Sequence, residues 1–163
     1  MKTHKKLRQQ ESDLRDKNLD DWLQENALQI STYKSQFPIN HITLNKVHII
    51  DNIIAAIKKS DVNAIELGCN LVTQNKHIPF GRTLKYNILH TLKNQHQYIN
   101  SAYREKLSKL AVAYLNANYP PKDIKPLCKL IKRFEAKYAQ YVIEKIHQQT
   151  DVTVRWAVYL KSS

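Results

Sequence analysis

The lysine and arginine side chains between Pro121 and His147 are the residues of this chain best placed to bind a ligand. When the stretch is drawn as one helix, at about 100° per residue, five of its cations fall within about 80° of Lys129, Lys129 included, on one side of the axis. Apolar side chains lie on the opposite side and predict a buried face. Ammonium and guanidinium groups on the solvent side could contact phosphate groups. The cations of this row are Lys125, Lys129, Lys132, Arg133 and Lys137.

The net charge of +12 is concentrated in one part of the chain. Residues 76–147 contain 14 Lys and Arg against 4 Asp and Glu, whereas residues 1–75 contain 10 against 9. A positive segment of this kind favours a polyanionic partner, although a solvated helix face with no ligand gives the same pattern. Four further cations on neighbouring predicted helices extend the candidate surface: Arg82, Lys85, Lys106 and Lys109.

The composition of this basic surface indicates contact with phosphates more than recognition of bases. Base recognition favours Arg, Asn and Gln, whereas lysine predominates here. Binding of single strands would also require exposed aromatic rings on which bases stack. Tyrosine in a helix is usually packed against a core, but four tyrosines are candidates: Tyr86, Tyr98, Tyr103 and Tyr119.

No constellation of residues predicts catalysis. The chain has no Gly-rich phosphate loop, and the carboxylates of residues 76–147 are scattered beside lysines and arginines, as in surface ion pairs. His90 and His96 are the best acid–base pair for a metal-independent ribonuclease, but they fall on different faces of a continuous helix. We therefore expect a protein that is not an enzyme, with no catalytic residue and no cofactor.

The two cysteines, Cys69 and Cys128, lack the spacing of a metal site or of a disulfide scaffold. Buried free thiols in a reducing compartment are the simplest interpretation, and no metal site is expected. The charged N-terminus lacks an apolar signal region, and no apolar run reaches the roughly 20 residues that span a bilayer. These features predict a cytoplasmic protein that does not enter a membrane.

Helices are expected to position these side chains, because the composition disfavours sheets. Only two glycines and five prolines occur among 163 residues, too few for the many turns of an all-β fold. Apolar spacings of three and four predict an all-α single domain, residues 1–163, built as a compact bundle of about six helices. The predicted helices cover residues 19–34, 43–59, 62–74, 80–94, 101–116 and 121–147.

Local signals mark several helix boundaries. Gly68 inside a predicted helix indicates the close approach of a neighbouring helix. Proline breaks the pattern at Pro79 and again at Pro120, 41 residues later. This interval is compatible with HEAT-like helical hairpins and equally with an ordinary bundle. The predicted N-caps are Asp61, Ser101 and Asp123.

The two ends of the chain differ from the rest. Residues 1–18 mix charges of both signs and predict either a solvated helix with i,i+4 pairs or a mobile terminus. Residues 151–163 alternate apolar and polar side chains, which predicts a short extended C-terminal tail. Such a strand would need to pair with segment 37–44, or with a second chain as a homodimer; otherwise the segment is helical.

Charge and helical pattern together favour a non-enzymatic binding protein. Its basic helical face would engage an anionic partner, most simply nucleic-acid phosphates without strong sequence specificity. The alternative is a helical adaptor that binds an acidic protein or self-associates through its C-terminal tail. Both anionic partners would contact the same cations.

Overall fold

The structure is a computed structural model that describes residues 2–33 and 42–162. In these residues the regular elements are nine α-helices and two 3₁₀ turns, Ser31–Tyr33 and His96–Tyr98. The predicted all-α class is confirmed, whereas the predicted count of about six helices is too low. The α-helices are α1 (Lys2–Glu25), α2 (Ala27–Ile30), α3 (Ile42–Lys58), α4 (Val62–Thr73), α5 (Gly81–Lys93), α6 (Ser101–Leu115), α7 (Ile124–Ile131), α8 (Ala136–Lys145) and α9 (Asp151–Lys161).

Helix α5 lies at the centre of the packing. It contacts α3, α4 and α7, whereas α6 packs against α4, α7 and α8, and α8 packs against α9. Fully buried side chains such as Ile57, Ile65 and Leu89 join these helices, each stabilising the fold by roughly 1.5–3 kcal/mol relative to exposure. Because α5 and α6 make their main contacts with other helices, the predicted HEAT-like hairpins are not confirmed.

At Gly68 three helices pack closely together. A Cβ atom at this position of α4 would lie 2.9 Å from Ile57 Cδ1 of α3 and 3.2 Å from Ile88 Cγ2 of α5. Both distances are shorter than ordinary carbon–carbon contacts. The predicted packing role of Gly68 is confirmed, and this close packing offsets the low helix propensity of glycine.

Side-chain caps hold the starts of α4 and α6, and the cap of α6 differs from the prediction. Asp61 accepts a hydrogen bond from the Ala64 backbone N–H at 3.3 Å, as predicted. At α6 the cap is Asn100, whose side chain accepts from the Tyr103 backbone N–H at 2.9 Å. The prediction of Ser101 as the cap is wrong, because Ser101 is already the first helical residue.

The stretch from Pro121 to His147 contains two helices, α7 and α8, and not one. After α7 the chain tightens into a turn, in which Arg133 and Phe134 donate backbone N–H groups to carbonyls three residues back. Phe134 then packs into the core, and Glu135 adopts an extended backbone. Neither glycine nor proline marks this break, so local signals do not reveal it. The angles drawn along one continuous helix therefore do not apply beyond α7.

The N-terminal segment is helical from Lys2, which agrees with the solvated helix predicted for residues 1–18. A pair four residues apart joins Lys17 to Asp21 at 2.8 Å on its surface. Near its C-terminal end α1 joins the core, where Trp22 is fully buried. Residue 34, the predicted end of this helical region, lies outside the described residues. No helix in the described part of the chain is both long and apolar enough to cross a membrane.

Residues 151–161 form helix α9, so the prediction of an extended tail is wrong. The segment carries two periodicities at once. Its alternation suggests a strand, but Val152, Trp156 and Leu160 are also spaced four apart along one helical face. That face packs against the core, with Leu160 buried.

Hydrogen bonds to other helices favour the helical form of this segment. Thr150 caps α9 by accepting from the Thr153 backbone N–H at 3.1 Å. The Thr153 hydroxyl donates to the Leu115 carbonyl of α6 at 2.7 Å. Of the predicted strand partner, segment 37–44, residues 37–41 lie outside the described residues.

Candidate functional site

The nine predicted binding cations differ in exposure in the folded chain. Lys85 is buried, Lys129 and Lys132 are half-buried, and the other six are exposed. Exposure matters because a cation can reach a ligand only if it is not already held inside the fold. The exposed cations are Arg82 on α5, Lys106 and Lys109 on α6, Lys125 on α7, Arg133 in the turn after α7, and Lys137 on α8.

Lys132 holds the end of α9. Its Nζ donates to the Tyr159 carbonyl at 3.1 Å and to the Leu160 carbonyl at 3.2 Å, and it lies 5.7 Å from the centre of the Tyr159 ring. Carbonyl groups in the last turn of a helix have no partner within the helix, and a cation there also interacts favourably with the helix dipole. The charge of Lys132 is therefore used inside the fold.

Two of the exposed lysines lie over tyrosine rings of their own helices. Lys106 Nζ is 5.3 Å from the centre of the Tyr103 ring, and Lys137 Nζ is 5.1 Å from the centre of the Tyr138 ring. A cation over an aromatic face gains modest stabilisation while its ammonium group stays in water. These two lysines are thus ordered and still accessible to an anion.

Few carboxylates neutralise the cations of residues 76–147. Within the described residues this segment contains one ion pair, between Arg104 and Glu135. Arg104 Nε also donates to the Ile99 carbonyl at 2.8 Å, and its guanidinium lies over the Phe134 ring. In the part of the chain that the structure describes, the other cations of the segment have no carboxylate oxygen within 4.0 Å. Their positive potential is therefore not cancelled locally.

A cleft of about 710 Å³ opens between the start of α5 and the loop that precedes α7. Its volume falls in the range of small-ligand pockets, roughly 300–1,000 Å³. Three exposed cations line it: Arg15 from α1, Arg82 from α5 and Lys122 from the loop. Folding thus collects, around one cavity, positive charges that lie far apart in the sequence.

Lys85, Asp123 and Tyr114 form the buried floor of this cleft. Lys85 is only 7% exposed, and its Nζ donates to the Lys76 carbonyl. Burial lowers the pKa of Lys85, and the charge of Asp123 acts in the opposite direction. Lys85 is therefore part of the interior and not of the outer basic surface.

Asp123 does not act as the predicted N-cap of α7. Its backbone is already helical (φ −60°, ψ −18°), and its side chain makes no capping hydrogen bond. Burial raises the pKa of this carboxyl, whereas Lys85 is the strongest influence that lowers it. Burial, with smaller contributions from Asp123, also raises the pKa of the Tyr114 phenol. Lys85 and Asp123 offset each other, so the net charge of the cleft comes from its three outer cations.

Two exposed aromatic rings, those of Phe80 and Tyr119, also line the cleft. Phe80 is 61% exposed and has a left-handed backbone, with φ 54° and ψ 25°. A bulky side chain rarely adopts this conformation. Tyr119 is 92% exposed and precedes two consecutive prolines. Exposed rings beside cations are the combination that binds unpaired bases and their phosphates in single-strand sites.

The sequence identified only part of this group. Among the four candidate tyrosines, Tyr119 is the most exposed, Tyr98 is 46% exposed, and Tyr86 and Tyr103 are half-buried. Phe80 was not a candidate, although an aromatic residue between a proline and a glycine is an unusual helix entry. Arg15 and Lys122 carry no local signal, because their nearness to the cleft depends on contacts between distant parts of the chain.

The histidines considered for acid–base chemistry have different surroundings. His90 stacks on Tyr86 with ring centres 6.4 Å apart, and it lines a second cavity of about 370 Å³ that His96 does not line. A ring nitrogen of His96 lies 3.1 Å from the Lys93 carbonyl. Among the described residues, no group of three His, Cys, Asp or Glu side chains could hold a metal ion.

The two cysteines are buried free thiols, as predicted. Burial raises the pKa of Cys69 and of Cys128 to about 12. Because the thiolate is the reactive form of cysteine, neither side chain is activated as a nucleophile.

Comparison with known proteins provides no relative from which a function could be transferred. No family model, no curated protein and no solved structure matches the chain. The side chains of the exposed surface and of the cleft therefore provide the basis for a functional proposal.

Proposed function

We propose that this is a non-enzymatic protein that binds nucleic-acid phosphates through the exposed and half-buried lysines and arginines from α5 to α8 that no backbone carbonyl holds, without strong sequence specificity. One observation carries the proposal. Residues 76–147 contain 14 lysines and arginines, and among the described residues only Arg104 of this group is ion-paired. A folded surface that keeps so many cations without carboxylate partners attracts polyanions.

Phosphate is the chemistry that these side chains suit best. Ammonium groups make strong, charge-assisted hydrogen bonds to phosphate oxygens, and their binding releases counterions from the nucleic acid. The proposed contacts exclude Lys85 and Lys132, because both are held by backbone carbonyls inside the fold. They comprise Arg82, Lys106, Lys109, Lys125, Lys129, Arg133 and Lys137.

Salt dependence of binding tests this proposal directly. Fluorescence anisotropy with a labelled random-sequence oligonucleotide, from about 50 mM to about 300 mM salt, gives the number of phosphate contacts from the slope of log K against log salt. We expect a triple variant, Lys125→Ala with Lys129→Ala and Arg133→Ala, to reduce the magnitude of the slope by about 2–3, because each contact contributes about 0.9 on a duplex. The complete absence of binding at low salt contradicts the proposal.

Helix α1 offers a control with the same change of charge. The variant Lys5→Ala with Lys6→Ala and Arg8→Ala also removes three cations, but from exposed positions of a helix whose six basic and six acidic residues balance. We expect this variant to retain the salt slope of the wild type. An equal loss of affinity in both triple variants would show that only the net charge matters, and not the surface of α5 to α8.

Self-association or binding of an acidic protein is the second candidate function. Val154 and Val158 are exposed and lie one turn apart on α9, so they form a small apolar face. Because α9 is a helix, two copies would meet through this face and not through a strand edge. Light scattering of the wild type and of Val154→Ser with Val158→Ser tests this possibility, and a monomer in both samples removes self-association. An acidic protein partner has a separate test. If poly-glutamate displaces the labelled oligonucleotide as well as an unlabelled oligonucleotide of equal charge does, an acidic protein is favoured as the partner.

A further inference from the structure

We infer that the cleft between α5 and the loop before α7 binds an unpaired nucleotide of a single strand, with Phe80 and Tyr119 stacking on bases while Arg82 and Lys122 contact phosphates. This inference rests on the function proposed above and adds a preference for single strands over duplexes. Two independent features of the cleft support it, the presentation of its aromatic rings and the distribution of its charge.

The backbone conformation of Phe80 accompanies the exposure of its ring to solvent. The residue lies between Pro79 and Gly81, and its carbonyl accepts the backbone N–H of Leu84 at 3.0 Å as the first bond of α5. The left-handed backbone is therefore tied to the start of the helix, and the ring stays 61% exposed. Burial in the core does not explain an apolar ring held outward in a conformation that bulky residues rarely adopt. A base stacked on the ring would cover it.

Tyr119 provides a second ring on the same cleft. It is 92% exposed, and the prolines at positions 120 and 121 restrict the backbone that follows it. Stacking of successive bases on aromatic side chains tolerates any sequence, because every base presents a flat face. This tolerance agrees with phosphate binding that lacks strong sequence specificity.

The charges of the cleft suit the backbone of a nucleotide. Arg15, Arg82 and Lys122 are exposed and line it, while the one carboxylate of its lining, Asp123, is buried beside Lys85. Phosphates can therefore approach the outer cations without meeting an exposed negative charge. The buried polar groups lie below, where the cavity of about 710 Å³ has room for a ligand of nucleotide size.

A duplex cannot use the aromatic rings in the same way. Bases inside a double helix are stacked on their neighbours, so a protein ring reaches a base face only when the base is unpaired or extruded. The outer cations would still contact duplex phosphates. The two rings should therefore matter for single strands and not for duplexes.

The test compares a labelled single strand of about 12 nucleotides with a duplex of the same sequence, using fluorescence anisotropy at one salt concentration. The double variant Phe80→Asn with Tyr119→Ala removes both rings, and asparagine tolerates the left-handed backbone at position 80. We expect at least about a tenfold loss of affinity for the single strand and unchanged affinity for the duplex. The variant Phe80→Trp with Tyr119→Phe retains both rings and should bind the single strand as the wild type does.

Circular dichroism and thermal melting of each variant show whether the fold is retained; both replaced side chains are exposed. If the double variant binds the single strand as tightly as the wild type, or the wild type binds both forms equally, the cleft inference is overturned and the proposed function stands. If neither form binds at low salt, the proposed function fails together with the inference. If a free mononucleotide displaces the strand at equal nucleotide concentration, the cleft is a site for free nucleotides, and the single-strand inference is overturned.

Discussion

Helix α1 and residues 76–147 use their charges in different ways. Helix α1 contains six basic and six acidic residues, and pairs such as Lys17 with Asp21 neutralise charges along its own surface. Residues 76–147 contain 14 basic and 4 acidic residues. Carboxylates are few in this segment, and three of its cations donate hydrogen bonds to backbone carbonyls. The comparison shows that an excess of positive charge overstates the number of cations available to a ligand.

Three cations of the second region hold the fold together in the same way. Lys85 donates to the Lys76 carbonyl, Arg104 to the Ile99 carbonyl, and Lys132 to two carbonyls of α9. Each bond joins segments that are separated in the sequence or closes the end of a helix. We expect substitution of these three residues to reduce stability, and substitution of an exposed cation to reduce binding.

Replacement of Lys85 should have the largest effect. In Lys85→Ala the Lys76 carbonyl loses its hydrogen-bond donor and the buried side chain leaves a gap in the packing, so we expect the free energy of unfolding to fall by about 3 kcal/mol. Urea denaturation measures this change. Lys125→Ala, which removes an exposed lysine of the same region, is the control and should leave stability within about 0.5 kcal/mol of the wild type. Equal effects of the two substitutions would remove the distinction between buried and exposed cations.

The stability difference between wild type and Lys85→Met should also depend on pH. Burial places the pKa of Lys85 in the folded state below its ordinary value of 10.5. At pH values between the lowered pKa of the folded state and 10.5, the unfolded chain binds more protons at Lys85 than the folded chain does. The unfolding free energy of the wild type should therefore rise with pH relative to that of the variant. The measurement is urea denaturation of both proteins at several pH values up to about 10. If the difference in unfolding free energy between the two proteins stays constant at the higher pH values, the pKa of Lys85 is not lowered.

Replacement of Arg104 should have an intermediate effect. Its guanidinium donates to the carbonyls of Ile99 and His96 and lies 5.0 Å from the centre of the Phe134 ring. We expect Arg104→Ala to lower the unfolding free energy by about 2 kcal/mol, mainly through the loss of its two partly buried hydrogen bonds to carbonyls. Arg104→Lys keeps the charge but cannot reproduce the planar set of donors, so it should recover only a small part of the stability. Full recovery by lysine would show that charge alone matters at this position.

Replacement of Lys132 should have a smaller and more local effect. We expect Lys132→Ala to lower stability by about 1 kcal/mol, because the Leu160 carbonyl loses the Lys132 hydrogen bond and the Tyr159 carbonyl keeps only its bonds from Ser162. Hydrogen exchange should accelerate in α9 before it accelerates in α5. The salt slope of oligonucleotide binding should stay at the wild-type value, in contrast to Lys129→Ala. A reduced slope in Lys132→Ala would place this residue among the phosphate contacts.

Replacement of Lys17 should have the smallest effect of all. Its Nζ pairs with Asp21 at 2.8 Å on an exposed surface, where water and salt screen the attraction. We expect Lys17→Ala to change neither the urea midpoint nor the salt slope of binding. A measurable loss of stability would mean that the pairs of α1 hold the fold as firmly as the carbonyl-bound cations do.

Composition and local periodicity account for much of the fold. The scarcity of glycine predicts helices, and apolar spacings of three and four place α3, α4 and α5 within a few residues of their observed bounds. A glycine within a strong helical pattern also indicates close packing, which the structure shows at Gly68. These features depend on residues within one or two turns of each other, and the sequence displays them directly.

Two elements could not be predicted in this way. Residues 152–160 alternate apolar and polar side chains as a strand does, but they also place apolar residues four apart as a helix does. The hydrogen bond from Thr153 to the Leu115 carbonyl favours the helix. At residues 132–135 the chain breaks without glycine or proline, where Phe134 turns inward beneath the Arg104 guanidinium. In the first case the favoured form depends on a partner 38 residues away in the sequence, and in the second on a partner 31 residues away.

The sequence by itself determined the helical class, the position of the charge excess and the residues that could carry it. Only the tertiary structure decided that Lys85 and Lys132 are bound inside the fold, and that Arg15, Lys122, Phe80 and Tyr119 share one cleft. The physical reason is how far apart in the sequence the interacting residues lie. Helix formation and total charge follow from neighbouring residues and from composition, whereas a lysine meets a carbonyl or an open cleft only after distant helices have packed.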